Sequence, residues 1–172
     1  KFKYSGVRLA KSTLSDKVKN ISKRIVEIIM SNKNEKVANQ MIFDAYEYFK
    51  TLDINDIAER GGIKVLDKWE AKNDGLKYAT GTTQLAKWCI FHNELLKINN
   101  LTNKYRKIEN GSKLKLLHVR DNKYNIPGIA YQDNLPPEFE LEVDFEKMFF
   151  YDILKALEPI YNALGWQLPN PK

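Results

Sequence analysis

The sequence predicts an α+β protein that is mainly α, built of about four main helices with a small antiparallel β element. Three observations carry this. Apolar residues recur at three- and four-residue intervals over four separate stretches, the mark of helices with one buried stripe. Period-two alternation follows an Asn110-Gly111 turn signal, and a short apolar run precedes Pro136-Pro137, which together read as a small sheet. The 172 residues suit a single domain, with or without a small lobe, large enough to bury roughly 70% of its unfolded surface.

In chain order, residues 1–13 alternate at Phe2, Tyr4, Val7 and Leu9 and read as an extended lead-in. Residues 14–52 form a helix pair. Thr13 or Ser15 can cap the first helix, whose stripe is Val18, Ile21, Ile25, Ile28 and Ile29, with Lys17, Lys19, Lys23 and Arg24 opposite. After the polar break at 31–34, a second helix should run over 35–52, with Val37, Met41, Ala45 and Phe49 inward and Tyr46 and Tyr48 at the rim. The short link between them implies antiparallel packing. Residues 53–81, with Gly61-Gly62, Gly75 and Gly81, read as loop with a helical turn near 65–69. Over 82–139 a helix at 83–98 carries Leu85, Trp88, Cys89, His92, Leu95 and Leu96 on one side, followed by the strands at 113–119 and 129–131. The closing helix spans 140–166, with Asp144 at the N-cap position, Pro159 as a kink and Gly165 as its left-handed stop.

Composition narrows the function. One cysteine, Cys89, excludes an internal disulfide framework, and no Cys/His spacing suits zinc, so a reducing intracellular compartment is the expectation. No apolar run reaches membrane-spanning length and no signal peptide is evident. Lys1 stands first in place of Met, which reads as a chain cut from something longer or processed. The formal charge of +6 is unevenly spread. Residues 1–40 and 76–125 each hold ten Lys/Arg against three Asp/Glu, whereas 41–75 and 126–172 are acidic. If the basic blocks share a face, that face attracts a polyanion, and nucleic acid is the commonest partner of such a field.

Candidates for chemistry are few. His92 on an apolar stripe and His118 in a strand read as partnered or rim histidines, and Cys89 beside Trp88 as an inert buried thiol. Asp53, Asp56 and Glu59 at helical spacing suggest a metal cluster, but an acidic first turn accounts for them with less. The single Arg60-Gly61-Gly62 is too short to be an RNA-binding repeat.

The order of motifs resembles the thumb of phage-type family B DNA polymerases. That family's last helix typically opens Asp-aromatic-Glu, has a Phe-rich middle, then Pro, and ends Leu-Gly-Trp; here these are Asp144-Phe145-Glu146, Phe149-Phe150, Pro159 and Leu164-Gly165-Trp166. Lys11-Ser12-Thr13 is similar to the family's basic-Ser/Thr-Thr-Pro palm exit, with Leu14 in place of Pro. Ile57, Ala58, Arg60 and Gly61 match a loop that often reads Ile-Ala-x-Pro-Arg-Gly-Val. Gly81, Thr82, Lys87 and Asn93 remain of a helix that begins Gly-Thr-Pro-x-His-x-Arg/Lys-Gly and ends Tyr-Asn, while Thr83, Leu85 and Trp88 replace its Pro, His and Gly. Residues 107–119 resemble an Ile-x-x-Gly-Asp-Lys-Ile-Lys strand.

The resemblance implies one thumb domain over 1–172, holding primer-template duplex DNA by its phosphates in DNA replication. It implies contacts from Lys11, Ser12, Thr13, Arg60, Gly61, Gly62, Lys77, Thr82, Thr83 and Lys87. Catalysis would belong to a parent polymerase whose palm aspartates hold two Mg ions. Those motifs are missing from this sequence, so no catalytic residue, metal ligand or cofactor is expected in it. The partners implied are duplex DNA and the other polymerase domains, in the cytoplasm of a phage-infected bacterium, with no membrane and no clamp-binding peptide. Two alternatives stand beside this: a free-standing basic DNA-binding protein, and a helical protein-interaction module docking near Tyr46, Tyr48 and Phe150.

Overall fold

The computed structural model describes residues 12–172, so most of the extended lead-in expected over 1–13 lies outside the described residues. Among these residues the fold is α+β: four long helical stretches, two short α-helices, a 3-10 turn (Pro137–Phe139) and a three-stranded antiparallel sheet. Its contacts gather into two compact units where the sequence suggests one domain: residues 12–58 with Phe145–Lys172, and Glu59–Asp144.

The first unit is helical. α1 (Asp16–Asn32) is capped by Ser15, whose Oγ accepts from the Val18 amide and donates to the Asp56 carbonyl at 2.6 Å. Its stripe is buried at Val18, Ile21, Ile25 and Ile29 as expected, with Ser22 and Val26 beside them and Ile28 only half-buried. Lys33, left-handed at φ 47°, ends it, and Asn34 caps α2 (Glu35–Phe49) across a two-residue link. The buried row of α2 is Ala38, Ile42, Tyr46 and Phe49. Phe49 is buried as expected, but the rest of the expected row is corrected by one position: Val37 is 41% exposed and Met41 and Ala45 are half-buried. Two adjacent rows of α2 are apolar, and periodicity alone does not choose between neighbours about 100° apart on the helix. Tyr46 is thereby core, not rim.

The C-terminal helix fills the other side of this core. It begins at Phe145 and runs through α6 (Phe145–Phe149), a π turn (Phe150–Leu154) and α7 (Lys155–Leu164). Phe149 meets Tyr46 and Phe49 edge-on at 5.1 and 5.4 Å between ring centroids. Each such ring buries enough apolar surface to stabilise the fold by roughly 1.5–3 kcal/mol. Only a kink at Pro159 is expected from the sequence; the structure adds a wide turn just ahead of α7, where the Lys155 amide reaches back to Phe150. A π turn holds one extra residue and shifts the phase of the helix beyond it, and here it keeps Met148, Phe149, Ile153, Leu157 and Tyr161 all buried. The Tyr161 hydroxyl donates to Asn39 Oδ1 at 2.8 Å. Gly165, at φ 71°, stops the helix as its position predicts.

The second unit packs α5 (Gln84–Ile98) on the sheet. Thr83 caps α5, and residues 88–93 of the helix are all buried. The strands are β1 (Glu59–Gly62), β2 (Lys113–His118) and β3 (Gly128–Tyr131), in that spatial order. β2 and β3 fall where alternation places them. β1 corrects the expected 53–81 loop, which also holds two short helices, α3 (Ile54–Ile57), in the first unit, and α4 (Asp67–Glu70). Two glycines give Glu59–Gly62 little strand propensity; pairing makes it a strand, Arg60 opposite Lys115 and Gly61 opposite Leu114. The Asn110-Gly111 turn joins the two by a bond from the Gly111 amide to the Ile63 carbonyl at 2.7 Å.

Strand alternation gives the sheet two distinct faces. A Cβ on Gly61 would meet Leu116 and Leu85 of α5, and one on Gly128 would strike the Trp88 indole at 2.2 Å, so these residues face the helix. Arg60, Lys113, Lys115 and Tyr131 therefore lie on the opposite face.

Candidate nucleic-acid interface

On that second face lies a cleft of about 540 Å³, which brings together Arg60, Arg106, Lys107, Lys113 and Lys115. Strand register supplies three of the five. Lys113 and Lys115 are two residues apart on β2, so both project to one side, and β1 sets Arg60 directly opposite Lys115. The other two come from the segment that enters the Asn110-Gly111 turn, and Gln132 fixes it. The Gln132 amide donates to the carbonyls of Arg106 and Lys107 at 3.3 and 3.2 Å, and its oxygen accepts from Arg106 Nη2 at 3.2 Å. Lys115 is held by the carbonyls of Gln132 and Asp133 at 3.0 and 3.3 Å, and its ammonium lies 5.9 Å from the Tyr131 ring.

The turn itself is tied down. Asn110 Oδ1 accepts from the amides of Leu66 and Asp67 at 2.6 and 3.2 Å, while Ser112 Oγ accepts from the Glu109 amide. Gly111 has φ 82°, a conformation that glycine adopts without strain. Two carboxylates, Glu109 and Asp133, also line the cleft. Among the described residues, Arg106, Lys107, Lys113 and Lys115 form no ion pair, whereas Lys97 and Lys104 nearby in sequence are paired with Glu94 and Glu138. Five cations in one cleft, with Arg106 and Lys115 held by hydrogen bonds, form a surface on which a chain of phosphates can replace water at several points.

The residues expected from sequence are scattered. Lys11 lies outside the described residues. Ser12 and Thr13 sit in a turn ahead of the true cap, Ser15, and the α1 terminus beyond it carries Asp16 and the Lys17–Asp56 ion pair at 3.0 Å. A terminus so supplied with carboxylates has its positive end satisfied already. Thr82 is a correction: it is 6% exposed, and its hydroxyl donates to the Ala79 carbonyl at 2.7 Å. The Thr83 hydroxyl caps the Ala86 amide. Lys77 is exposed and closes a tight turn against Asp74. Gly61 and Gly62 are strand residues; a Cβ on Gly61 would meet Leu116 and Leu85, and one on the exposed Gly62 only the Ser112 carbonyl at 3.6 Å. Lys87 stands on α5, across the sheet from Arg60, its ammonium 3.9 Å from the centre of the Tyr78 ring. Of the ten, Arg60 is the one that belongs to the cationic cleft.

Arg106 lies outside every matched motif, and Lys107, Lys113 and Lys115 fall in the matched stretch over 107–119 without being singled out as contacts, though a signal for all four exists. In Lys-Leu-Lys-Leu the charges keep a two-residue period, so they must share one face, and the preceding turn brings Arg106 and Lys107 back beside them.

Of the remaining chemical candidates, Cys89 and His92 are buried. Burial pushes the Cys89 thiol up to about 12, which suppresses the thiolate. Burial likewise holds the His92 imidazole below the usual histidine range, partly offset by its contact with Asn93 Oδ1 at 3.2 Å. Asp53 caps α3 by accepting from the Asn55 amide. Among the described residues no group of three or more His, Cys, Asp and Glu is placed to hold a metal ion, and no helix is long and apolar enough to cross a membrane. No family model matches the chain, and no curated protein matches it.

Proposed function

We propose that this chain grips a nucleic-acid duplex by its backbone phosphates, independently of sequence, as the thumb of a phage-type family B DNA polymerase. The observation that carries the reading is the convergence of Arg60, Arg106, Lys107, Lys113 and Lys115 in one cleft. The collinear motifs support it, most directly the strand similar to Ile-x-x-Gly-Asp-Lys-Ile-Lys, because Lys113 and Lys115 of that strand furnish two of the five cations. Phosphate contacts fix position without reading bases, which suits a protein that must accept any template. On this reading the chain holds substrate, and nucleotidyl transfer belongs to a palm with its own metal-bearing aspartates.

The protein-interaction alternative loses part of its surface. Tyr46 is 3% exposed and packed on Phe149, and Phe150 is half-buried against Tyr151; Tyr48 is the exposed member of that trio.

Fluorescence anisotropy with short labelled duplexes of unrelated sequence tests the proposal. Equal affinities at low salt are expected, together with marked weakening in Lys107→Gln/Lys113→Gln, whose exposed side chains can change without disturbing the core. Sequence-selective binding, or a double variant that binds like the parent, overturns it.

A further inference from the structure

A second pocket lies on the helix side of the sheet, distinct from the cationic cleft. It measures about 200 Å³, and Tyr78, Gln84, Lys87, Trp88, Phe91 and Tyr124 contribute to its lining. We propose that it receives one unpaired nucleotide of a single strand, with the base against Tyr78 and its phosphate at Lys87.

Three features argue for this occupant. The first is size: pockets for drug-sized molecules run to about 300–1,000 Å³, so this one admits a single ring system. The second is the lining, which is aromatic. Trp88 and Phe91 are buried beneath, while Tyr78 is 51% exposed and inclined to Phe91 at 6.4 Å between centroids, so its ring presents area to solvent. An exposed aromatic ring is a stacking platform for any base, because every base has a π-face. The third is charge. No carboxylate lines the pocket, yet both tyrosines carry a lysine at the ring: Lys87 at 3.9 Å from the centre of Tyr78 and Lys123 at 5.3 Å from that of Tyr124. Lys123 is also near Glu140, at 3.6 Å, which leaves Lys87 as the principal cation of the site. Aromatic surface beside a cation, with the Gln84 and Asn125 amides at the lining for base edges, matches a nucleotide better than a neutral apolar side chain.

The site goes beyond the duplex reading and stands or falls apart from it. The test uses the full chain with a thymidine oligonucleotide carrying one photoreactive 4-thiothymidine, compared with a blunt duplex. The crosslink should map by mass spectrometry to Tyr78 or its neighbours. Tyr78→Ala should weaken single-strand binding roughly 5- to 150-fold, the range for loss of one stacked base, while Tyr78→Phe restores it and duplex affinity is unmoved. Lys87→Gln should lower the single-strand salt slope by about 0.7. No single-strand binding by the parent chain, a crosslink elsewhere, or equal losses on both nucleic acids overturns the pocket. Loss of duplex binding in Lys107→Gln/Lys113→Gln concerns the other cleft and leaves this one in place.

Discussion

At the residue scale, two buried positions show how local chemistry becomes stability. Gly128 has no unusual backbone angle; it is glycine because the Trp88 indole lies where a Cβ would stand, with three ring atoms within 2.2–2.5 Å of that position. Trp88 is 4% exposed, so a methyl group at Gly128 must push the ring or the strand. Gly128→Ala should therefore destabilise the protein by about 1–3 kcal/mol, an overpacking cost read from chemical denaturation. His92 gives a pH signature. Its imidazole is 3% exposed and faces the Phe139 ring at 5.8 Å, and burial disfavours its charged form. The unfolded chain takes up a proton near 6.5 while the folded state resists it until lower pH. The stabilising contribution is thus intact above about pH 6.5 and is lost as pH falls through the depressed folded value, with a limiting slope of about 1.4 kcal/mol per pH unit. Denaturation curves across that window should show the slope in the parent and its absence in His92→Leu.

At the scale of elements, the long helices are legible in the sequence and the short ones are not. α1, α2, α5 and the C-terminal helix each bury a stripe over many residues, and caps at Ser15, Asn34 and Thr83 mark the starts of the first three. β1 is illegible because its four residues include two glycines and its strand state comes from pairing with β2, a partner about fifty residues away in the chain. The face of α2 is hidden for a related reason: its neighbour decides which of two apolar rows is covered. The π turn leaves no sequence mark beyond the Phe-rich run it accommodates. Caps do leave one, and Ser15 binds at both ends of its hydroxyl, to the Val18 amide and the Asp56 carbonyl. Ser15→Ala should cost about 0.5–2 kcal/mol in thermal unfolding, the usual range for a lost helix cap; Ser15→Asp should recover part of it through the cap while the Asp56 bond stays lost.

At the scale of the whole molecule, the uneven spread of charge points to the cationic cleft better than the motifs point to its individual residues. The basic block over 76–125 supplies four of the five cleft cations, and Arg60 joins them through β1. The division into two units is invisible in the sequence because the chain passes between them at Ala58–Glu59 and Asp144–Phe145, beside regular elements and without a Gly- or Ser-rich linker. The proposed role of the Arg60, Arg106, Lys107, Lys113 and Lys115 cleft is to neutralise duplex phosphates. The most direct measurement is the slope of log affinity for duplex DNA against log salt, taken for the parent chain and for Lys107→Gln/Lys113→Gln. Each phosphate contact contributes about −0.9, so the double variant's slope should be shallower by about 1.8, whatever the DNA sequence. An unchanged slope, or affinity indifferent to salt, would contradict the claim.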